Sequence, residues 1–231
     1  PPKTWEEMEA ACAAVSKGSA TGLAWRESAL TFSGFLYSRA AGLLSADQAQ
    51  AVFNGPEGVE SLDLLLRLDR EGYAWQPEGQ DADRAAFAAG EAIFTFGSTA
   101  DAALYAGAIE EAGSTFAWGA AMLPQSDVAR PPRTVLSGEG VCILRTGEAR
   151  QRAAWQFIRW FTAAEQSAAW SAGTGYLPLR ASAVQELAAS GRLDESPLLK
   201  EICDSVVAYV YPELRVRGAQ AIGRAIEEAW V

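Results

Sequence analysis

Residues 83–105, DRAAFAAGEAIFTFGSTADAALY, decide the fold class because they place a helix, a strand and a second helix in direct succession. The alanine-rich beginning predicts a short helix that ends at Gly90. Residues 92–96 are apolar, aromatic or β-branched and predict a strand. Ser98 or Thr99 then caps a new helix, so that the backbone N–H groups of this corner point outward. A strand between two helices predicts the α/β class.

Two further helices are predicted far from this stretch. Thr4 and Glu7 form a capping box, in which each side chain accepts a backbone N–H, so we expect a helix over about residues 5–16. A second helix starts at Glu148 and separates apolar from polar residues. Its apolar face comprises Ala154, Phe157, Ile158 and Phe161, and its polar face comprises Arg152, Gln156 and Arg159.

A third helix is predicted after residue 53. Asn54 can cap it, and Pro56 suits its first turn. Asp63 and Arg67 are one turn apart on the side expected to be exposed, and we expect them to pair. Helical spacing predicts that one apolar face is buried, formed by Val59, Leu62, Leu65 and Leu66.

Further strands are predicted in residues 116–124, FAWGAAMLP, and 134–147, TVLSGEGVCILRTG. A loop containing several prolines separates them. The C-terminal part is predicted to be mostly helical, with breaks at 173–178, 191–197 and 211–213. Helices therefore alternate with strands along the chain, which again favours α/β.

The composition excludes several classes of protein. The chain has 231 residues, of which 49% are apolar and 21% charged, as in an ordinary folded protein. Its formal net charge of −10 disfavours a general binder of nucleic acid or anionic membranes, which needs lysine and arginine for phosphates. Cys12, Cys142 and Cys203 form no Cys-x-x-Cys pair and are predicted to be buried structural thiols.

No motif predicts catalysis, a metal or a cofactor. The chain contains no histidine, which removes the usual general base and the usual zinc ligands. Neither a phosphate P-loop nor a dinucleotide fingerprint is present. Carboxylates are plentiful, and a pair of them could serve a glycosidase, but most lie on helix faces expected to be solvated. A carbohydrate-active enzyme therefore stays open only as an alternative.

Aromatic residues at predicted loop edges favour non-covalent recognition. They are Trp25, Trp75, Tyr176 and Tyr211. Aromatic rings stack on the C–H faces of sugars and polyols, while their polar groups bond hydroxyls. In residues 171–183, SAGTGYLPLRASA, two glycines and a proline shape a turn that displays Tyr176.

Four stretches, in this order and spacing, resemble the extracellular solute-binding proteins of ABC importers, in the group of maltose-binding protein. They are PPKTWEEM, FNGPEGVESLDLLLRL, AFAAGEAIFTFGSTAD and AAWQFIRWFTAAEQSAAWSAGTGYLPLRASA. The Thr-Gly-Tyr-Leu-Pro turn is most similar to the glycerol-3-phosphate-binding branch. The resemblance implies a two-lobed α/β fold in which crossing segments join the lobes and a ligand is held in the cleft between them.

The resemblance also implies a division of the chain. Residues 1–136 and 176–231 would form the two parts of the C-terminal lobe, and 137–175 would belong to the N-terminal lobe. The chain would cross between lobes near 136–141 and 173–179. The first part of the N-terminal lobe, with any signal peptide, is expected to be missing, so that this chain is a fragment.

The family's binding positions carry over one by one. The corner places Ser98 or Thr99, at a helix N-terminus, against the ligand. The segment LSGEG matches a glycine pair of which Gly138 is retained, and Tyr176 matches the tyrosine of the turn. The segment PELRVRG implies Arg215, with Arg217 as competitor, for an anionic ligand. Trp25 lies near a further contact of the family.

The expected function is ligand recognition for an ABC importer, without catalysis and without a cofactor. The ligand would be a sugar, a polyol phosphate or a glycerophosphodiester, and the partner a membrane permease. We expect a monomer that binds no nucleic acid. The location would be periplasmic or extracellular, with a lipid anchor at the missing N-terminus as one option. A sensor or structural module on the same fold is the other alternative.

Overall fold

The computed structural model describes residues 1–16, 18, 20–138, 140–206, 210–212 and 218–228, with backbone only for 205, 206 and 210–212. The chain forms two compact units. Unit 1 comprises Pro1–Gly97, Leu104–Ser137 and Tyr209–Val231, and unit 2 comprises Ser98–Ala103 and Gly138–Ala208. The sequence assigned 176–208 to the same lobe as 1–136, whereas these residues cluster with 138–175. Because a contact-based unit is not a lobe, the assignment of residues to lobes stays a prediction.

The described residues form α-helices that alternate with short strands. The helices are α1 (Trp5–Val15), α2 (Ala29–Ser38), α3 (Pro56–Arg70), α4 (Ala82–Ala88), α5 (Ala102–Glu111), α6 (Glu148–Phe161), α7 (Ala164–Thr174), α8 (Ala181–Ala189), α9 (Arg192–Glu195), α10 (Pro197–Val206) and α11 (Ala219–Glu228). The strands are β1 (Thr21–Ala24), β2 (Ala74–Trp75), β3 (Ala92–Phe94), β4 (Thr134–Leu136) and β5 (Val210–Pro212). A 3-10 turn, Thr99–Asp101, leads into α5. No helix among the described residues is long and apolar enough to cross a bilayer.

Unit 1 is organised around a parallel sheet in the order β2-β1-β3. Leu23 pairs with Ala74 on one side and with Phe94 on the other, so β1 is the central strand. A second, two-stranded parallel sheet joins β4 to β5. Parallel strands end at a common edge, which is where ligands of α/β proteins bind. The chain leaves β1 at this edge through Trp25, whose N–H donates to Trp75 O at 3.2 Å.

The core of unit 1 lies between the sheet and helices α1, α2 and α3. Its centre consists of Trp5, Met8, Cys12, Leu23, Trp25, Phe35, Leu64, Leu65, Leu68 and Ala74. Trp5 and Phe35 meet edge to face, with ring centroids 4.6 Å apart, a favoured aromatic geometry. Phe35 meets Phe96 in the same manner at 5.2 Å, which ties the end of β3 to α2.

Unit 2 has a small helical core around α7 and α8. The buried side chains are Ala168, Ala183, Leu187, Leu193, Leu199 and Cys203. In contrast, α6 buries none of its residues, although the sequence predicted its start and its amphipathic character correctly. Its contact with α7 includes Phe161 and Trp170, whose ring centroids are 5.5 Å apart.

The buried face of α3 differs from the prediction. Leu65 is buried as predicted, whereas Val59, Leu62 and Leu66 are exposed. The other buried positions are Gly58, Ser61, Leu64 and Leu68. The small residues explain the difference, because a Cβ on Gly58 would lie 1.8 Å from Phe53 O. The predicted face did not include Gly58 and Ser61, both of which are buried in α3.

Pro56 lies in the first turn of α3 as predicted, but the predicted cap and side-chain pairing were wrong. Gly55, not Asn54, is its N-cap, and no side chain caps it. Arg67 binds Glu9 of α1 through two hydrogen bonds of 2.9 and 3.1 Å, in place of the expected Asp63. The carboxylate of Glu9 therefore links α1 to α3, a pairing that local spacing could not reveal.

The predicted strands proved too long or absent. No strand forms over 116–124, where Phe116 and Trp118 instead pack on the ring of Phe87. In 134–147, the described residues form a strand only at Thr134–Leu136. A strand requires a neighbour for its ladder of hydrogen bonds, and propensity alone does not provide one.

Candidate functional site

The corner after β3 is closed by a carboxylate. Ser98 is the N-cap of the turn, as predicted, and its N–H donates to Asp101 Oδ2 at 2.9 Å. The hydroxyl of Ser98 donates to the same oxygen at 3.0 Å. A negative charge at a helix N-terminus is favourable, so Asp101 supplies the anion that this corner attracts. The sequence prediction overlooked Asp101, which the Ser-x-x-Asp spacing could have revealed.

The turn that carries Tyr176 is held by two buried serines of α7. Ser171 Oγ donates to the carbonyl of Tyr176, and Leu179 N–H donates to Ser167 Oγ at 2.9 Å. The N–H of Tyr176 donates to Thr174 Oγ1 at 3.3 Å. The sequence analysis missed both serines, although their spacing of four places them on one face of the helix.

The two glycines of this turn have different roles. Gly175 caps α7 with φ +76°, a left-handed conformation that favours glycine. Gly173 lies inside α7, and a Cβ there would meet no atom within 4 Å. The expectation that both glycines are needed for the turn was therefore wrong, because only Gly175 has a special backbone conformation.

Gly175 brings the turn against the corner within unit 2. A Cβ on Gly175 would lie 3.2 Å from Thr99 O and 3.8 Å from Ala100 Cα. The predicted residues Thr99 and Tyr176 therefore stand on neighbouring segments. Tyr176 is 43% exposed, and among the described residues no hydrogen bond to its hydroxyl is found. The arrangement offers hydroxyl groups and an aromatic face to a polar ligand.

The remaining predicted site residues are Trp25, Gly138, Arg215 and Arg217. Trp25 is only 4% exposed and packs in the core of unit 1, which favours a packing role, and its binding role stays a prediction. Gly138 is exposed, with open space around it. Arg215 and Arg217 lie outside the described residues. The prediction of buried thiols is confirmed for Cys12 and Cys203 and is wrong for Cys142, which is exposed.

No alternative chemistry assembles elsewhere in the part of the chain that the structure describes. No group of histidine, cysteine or carboxylate side chains there could hold a metal ion. A cavity of about 420 Å³ in unit 2 lies among α8, α9 and α10, where Lys200 pairs with Asp204 at 2.6 Å. Half of its lining residues are aliphatic, and the hydrogen bond to Asp204 raises the pKa of Lys200, so that its amine stays protonated and is not a nucleophile.

Residues 1–200 match the model of a family described as bacterial extracellular solute-binding protein. The chain belongs to this family. The solute-binding family is one of binding proteins, which agrees with the predicted absence of catalysis. The sn-glycerol-3-phosphate-binding periplasmic proteins UgpB of Salmonella typhimurium and Salmonella typhi are each 24% identical over 213 residues, 85% of this chain and 46% of theirs.

Solved structures of solute-binding proteins share the fold. The sugar-binding protein MalE of Xanthomonas citri has a TM-score of 0.75 at 20% identity, covering 99% of this chain and 56% of its own. UgpB of Mycobacterium tuberculosis, in complex with glycerophosphocholine, has a TM-score of 0.73 at 20% identity, covering 99% and 58%. The predicted α/β solute-binding fold is therefore confirmed. The chain spans about half the length of the curated relatives that it matches.

Proposed function

We propose that this chain is part of the ligand-recognition subunit of an ABC importer. It binds a sugar, a polyol phosphate or a glycerophosphodiester in a cleft between two lobes, and a membrane permease receives the ligand. One observation supports this proposal above the others: the corner at Thr99 lies next to the turn at Tyr176. Gly175 permits this close approach, and both segments carry polar groups there.

The corner favours the hydroxyl end of a ligand. Asp101 already neutralises the N-terminus of the turn, and Ser98 donates both of its protons to that carboxylate. A phosphate placed there would meet a like charge, which is unfavourable. Ligand hydroxyls, in contrast, can donate to Asp101 and accept from Thr99. Tyr176 adds a ring face for the C–H groups of a polyol or sugar.

The phosphate of a charged ligand would need a cation, and we assign that role to Arg215. A chain of net charge −10 must concentrate positive potential locally to hold an anion. The guanidinium group binds phosphate through two parallel hydrogen bonds. The names of the curated relatives and the glycerophosphocholine complex support this ligand class, whereas the MalE structures support a neutral sugar.

Calorimetry on the complete gene product tests the proposal with glycerol 3-phosphate and glycerol as a pair. We expect Arg215→Ala to weaken binding of the phosphate by roughly 1.5–3 kcal/mol and to leave glycerol unchanged. Tyr176→Ala should weaken both ligands. Arg217→Ala removes the competing arginine and should leave both affinities unchanged; a selective loss of phosphate binding in that variant would assign the role to Arg217 instead. If Arg215→Ala weakens both ligands equally, Arg215 does not recognise phosphate and a neutral sugar becomes the better candidate. A screen of sugars, polyols and their phosphates without any saturable binding would refute the function.

The division into lobes belongs to the same proposal. We assign 137–175 to the N-terminal lobe and expect the remainder of that lobe to lie outside this chain. The chain alone should then bind its ligand poorly, because part of the cleft desolvates only part of the ligand. Equal affinity for this chain and for the complete gene product would contradict the assignment. The periplasmic location of the named relatives supports a periplasmic or extracellular location for this protein. A lipid anchor is one way in which the protein would be held at the membrane there.

A further inference from the structure

Unit 2 exposes a continuous aromatic surface on α6 and α7. The ring centroid of Phe157 lies 5.9 Å from those of both Trp160 and Phe161, and Phe161 lies 5.5 Å from Trp170. Phe157, Trp160 and Trp170 are nevertheless 55%, 56% and 50% exposed, and Phe161 is only partly buried. We call these four residues the aromatic patch. A contiguous apolar surface of this kind marks a place where another surface docks.

The core of unit 2 leaves α6 out. In the described part of this unit the clustered buried side chains lie on α7, α8, α9 and α10, and α6 buries none of its residues. Yet α6 is not polar all round, because its polar residues Arg152, Gln156 and Arg159 share one face. An amphipathic helix of a folded protein packs its apolar side against a core. The aromatic patch is therefore one side of a core whose other side is not formed by the described residues.

The charges on α6 disfavour a second copy of this chain as the partner of the patch. The helix carries Arg150, Arg152 and Arg159 but a single carboxylate, Glu148, which already pairs with Arg152. In a symmetric dimer the same surface of both subunits forms the contact, so that α6 would face the α6 of the other copy. Two surfaces with the same excess of guanidinium groups would then approach each other, which is unfavourable.

The lengths of the related structures favour a segment of the same protein. This chain corresponds to 56% of the MalE structure and 58% of the UgpB structure, so a large part of each has no counterpart here. We propose that the aromatic patch docks an apolar face of the part of the complete gene product that lies outside this chain. The inference rests on the proposed division into lobes, and it adds the surface on which the second part of that lobe packs.

Hydroxyl-radical labelling read by mass spectrometry tests the docking on wild-type protein, because it reports the exposure of each aromatic side chain. Docking would lower the exposure of Phe157, Trp160 and Trp170 from about half to that of core residues. We therefore expect their oxidation to be at least about fivefold slower in the complete gene product than in this chain. Phe116 of unit 1, which is 37% exposed, is the matched reference and should react equally in both. Equal rates for the patch in both proteins would overturn the inference.

Phe157→Ala provides a second test. In this chain the ring is more than half exposed, so its loss should shift the melting temperature by no more than about 2 °C. In the complete gene product the same change should lower the melting temperature by roughly 5 °C or more, as for a buried aromatic residue. Arg159→Ala, on the polar face of α6, is the matched control and should have little effect in either. A shift of the same size in both proteins for Phe157→Ala would contradict the docking.

Two further outcomes separate this inference from its alternatives. Protection of the patch that grows with the concentration of this chain, together with a dimer in analytical ultracentrifugation, would make a second copy the partner and overturn the inference. Calorimetry with glycerol 3-phosphate on the complete gene product is an independent readout. A protected patch without any ligand binding would support the docking and count only against the proposed function, whereas ligand binding with an unprotected patch would refute the docking alone.

Discussion

Replacement of Gly175 by alanine should destabilise the chain by about 1 kcal/mol. A residue with a Cβ pays roughly 1–2 kcal/mol in the left-handed conformation that Gly175 adopts at φ +76°. Alanine recovers about 0.4–1 kcal/mol of this cost by restricting the unfolded chain. The new Cβ would also lie 3.2 Å from Thr99 O, closer than most such contacts, so the corner or the turn must shift. These contributions add to a net loss.

Gly173→Ala is the matched control, two residues earlier in the same sequence. Gly173 is helical, and its Cβ would meet nothing within 4 Å. Alanine is favoured over glycine in a helix by up to about 1 kcal/mol, so this variant should be stabilised by about 0.5 kcal/mol near the helix end. Urea unfolding followed by circular dichroism measures both midpoints. If both variants shift the midpoint in the same direction, the positive φ of Gly175 does not constrain the turn.

Two further predictions concern titratable groups. Burial raises the pKa of Cys12 to about 11 and also raises the pKa of Cys203, whereas Cys142 is exposed. Iodoacetamide at pH 8 should therefore alkylate only Cys142 in the native chain. Several adducts per chain in the mass spectrum would contradict this prediction. The hydrogen bond from Arg67 lowers the pKa of Glu9, so Glu9→Gln should cost up to about 1 kcal/mol near pH 7 for this partly exposed pair. The stabilisation by ionised Glu9 is present above the pKa of about 4.3 that a glutamate has in the unfolded chain, and it is lost as the pH falls through the lowered pKa of Glu9 in the folded chain. A difference in denaturation midpoint between wild type and Glu9→Gln that does not change with pH would refute this prediction.

Local signals in the sequence predicted single elements well and their partners poorly. Thr4 caps α1 as predicted, although Glu7 accepts from the N–H of Lys3 rather than that of Thr4, and Ser98 caps the corner after β3. Both features depend on residues within one turn of each other. Which face of α3 is buried depends on how closely Gly58 lets it approach residue 53, information that no hydrophobic pattern contains. The contact of Gly175 with Thr99 joins residues 76 positions apart, so the sequence could predict each segment but not their meeting.

The exposed apolar side chains of α6 are a second case in which the sequence predicts an element but not its partner. Its periodicity predicts an apolar face formed by Ala154, Phe157, Ile158 and Phe161, yet α6 buries none of its residues and Phe157 is 55% exposed. Trp155 and Trp160, outside that predicted face, are also more than half exposed. The proposed assignment of 137–175 to a lobe whose remainder lies outside this chain accounts for both facts, since the relatives are about twice as long. On that proposal, the exposed apolar side chains of α6 would be covered in the complete protein, and the sequence of this chain alone could not predict what covers them.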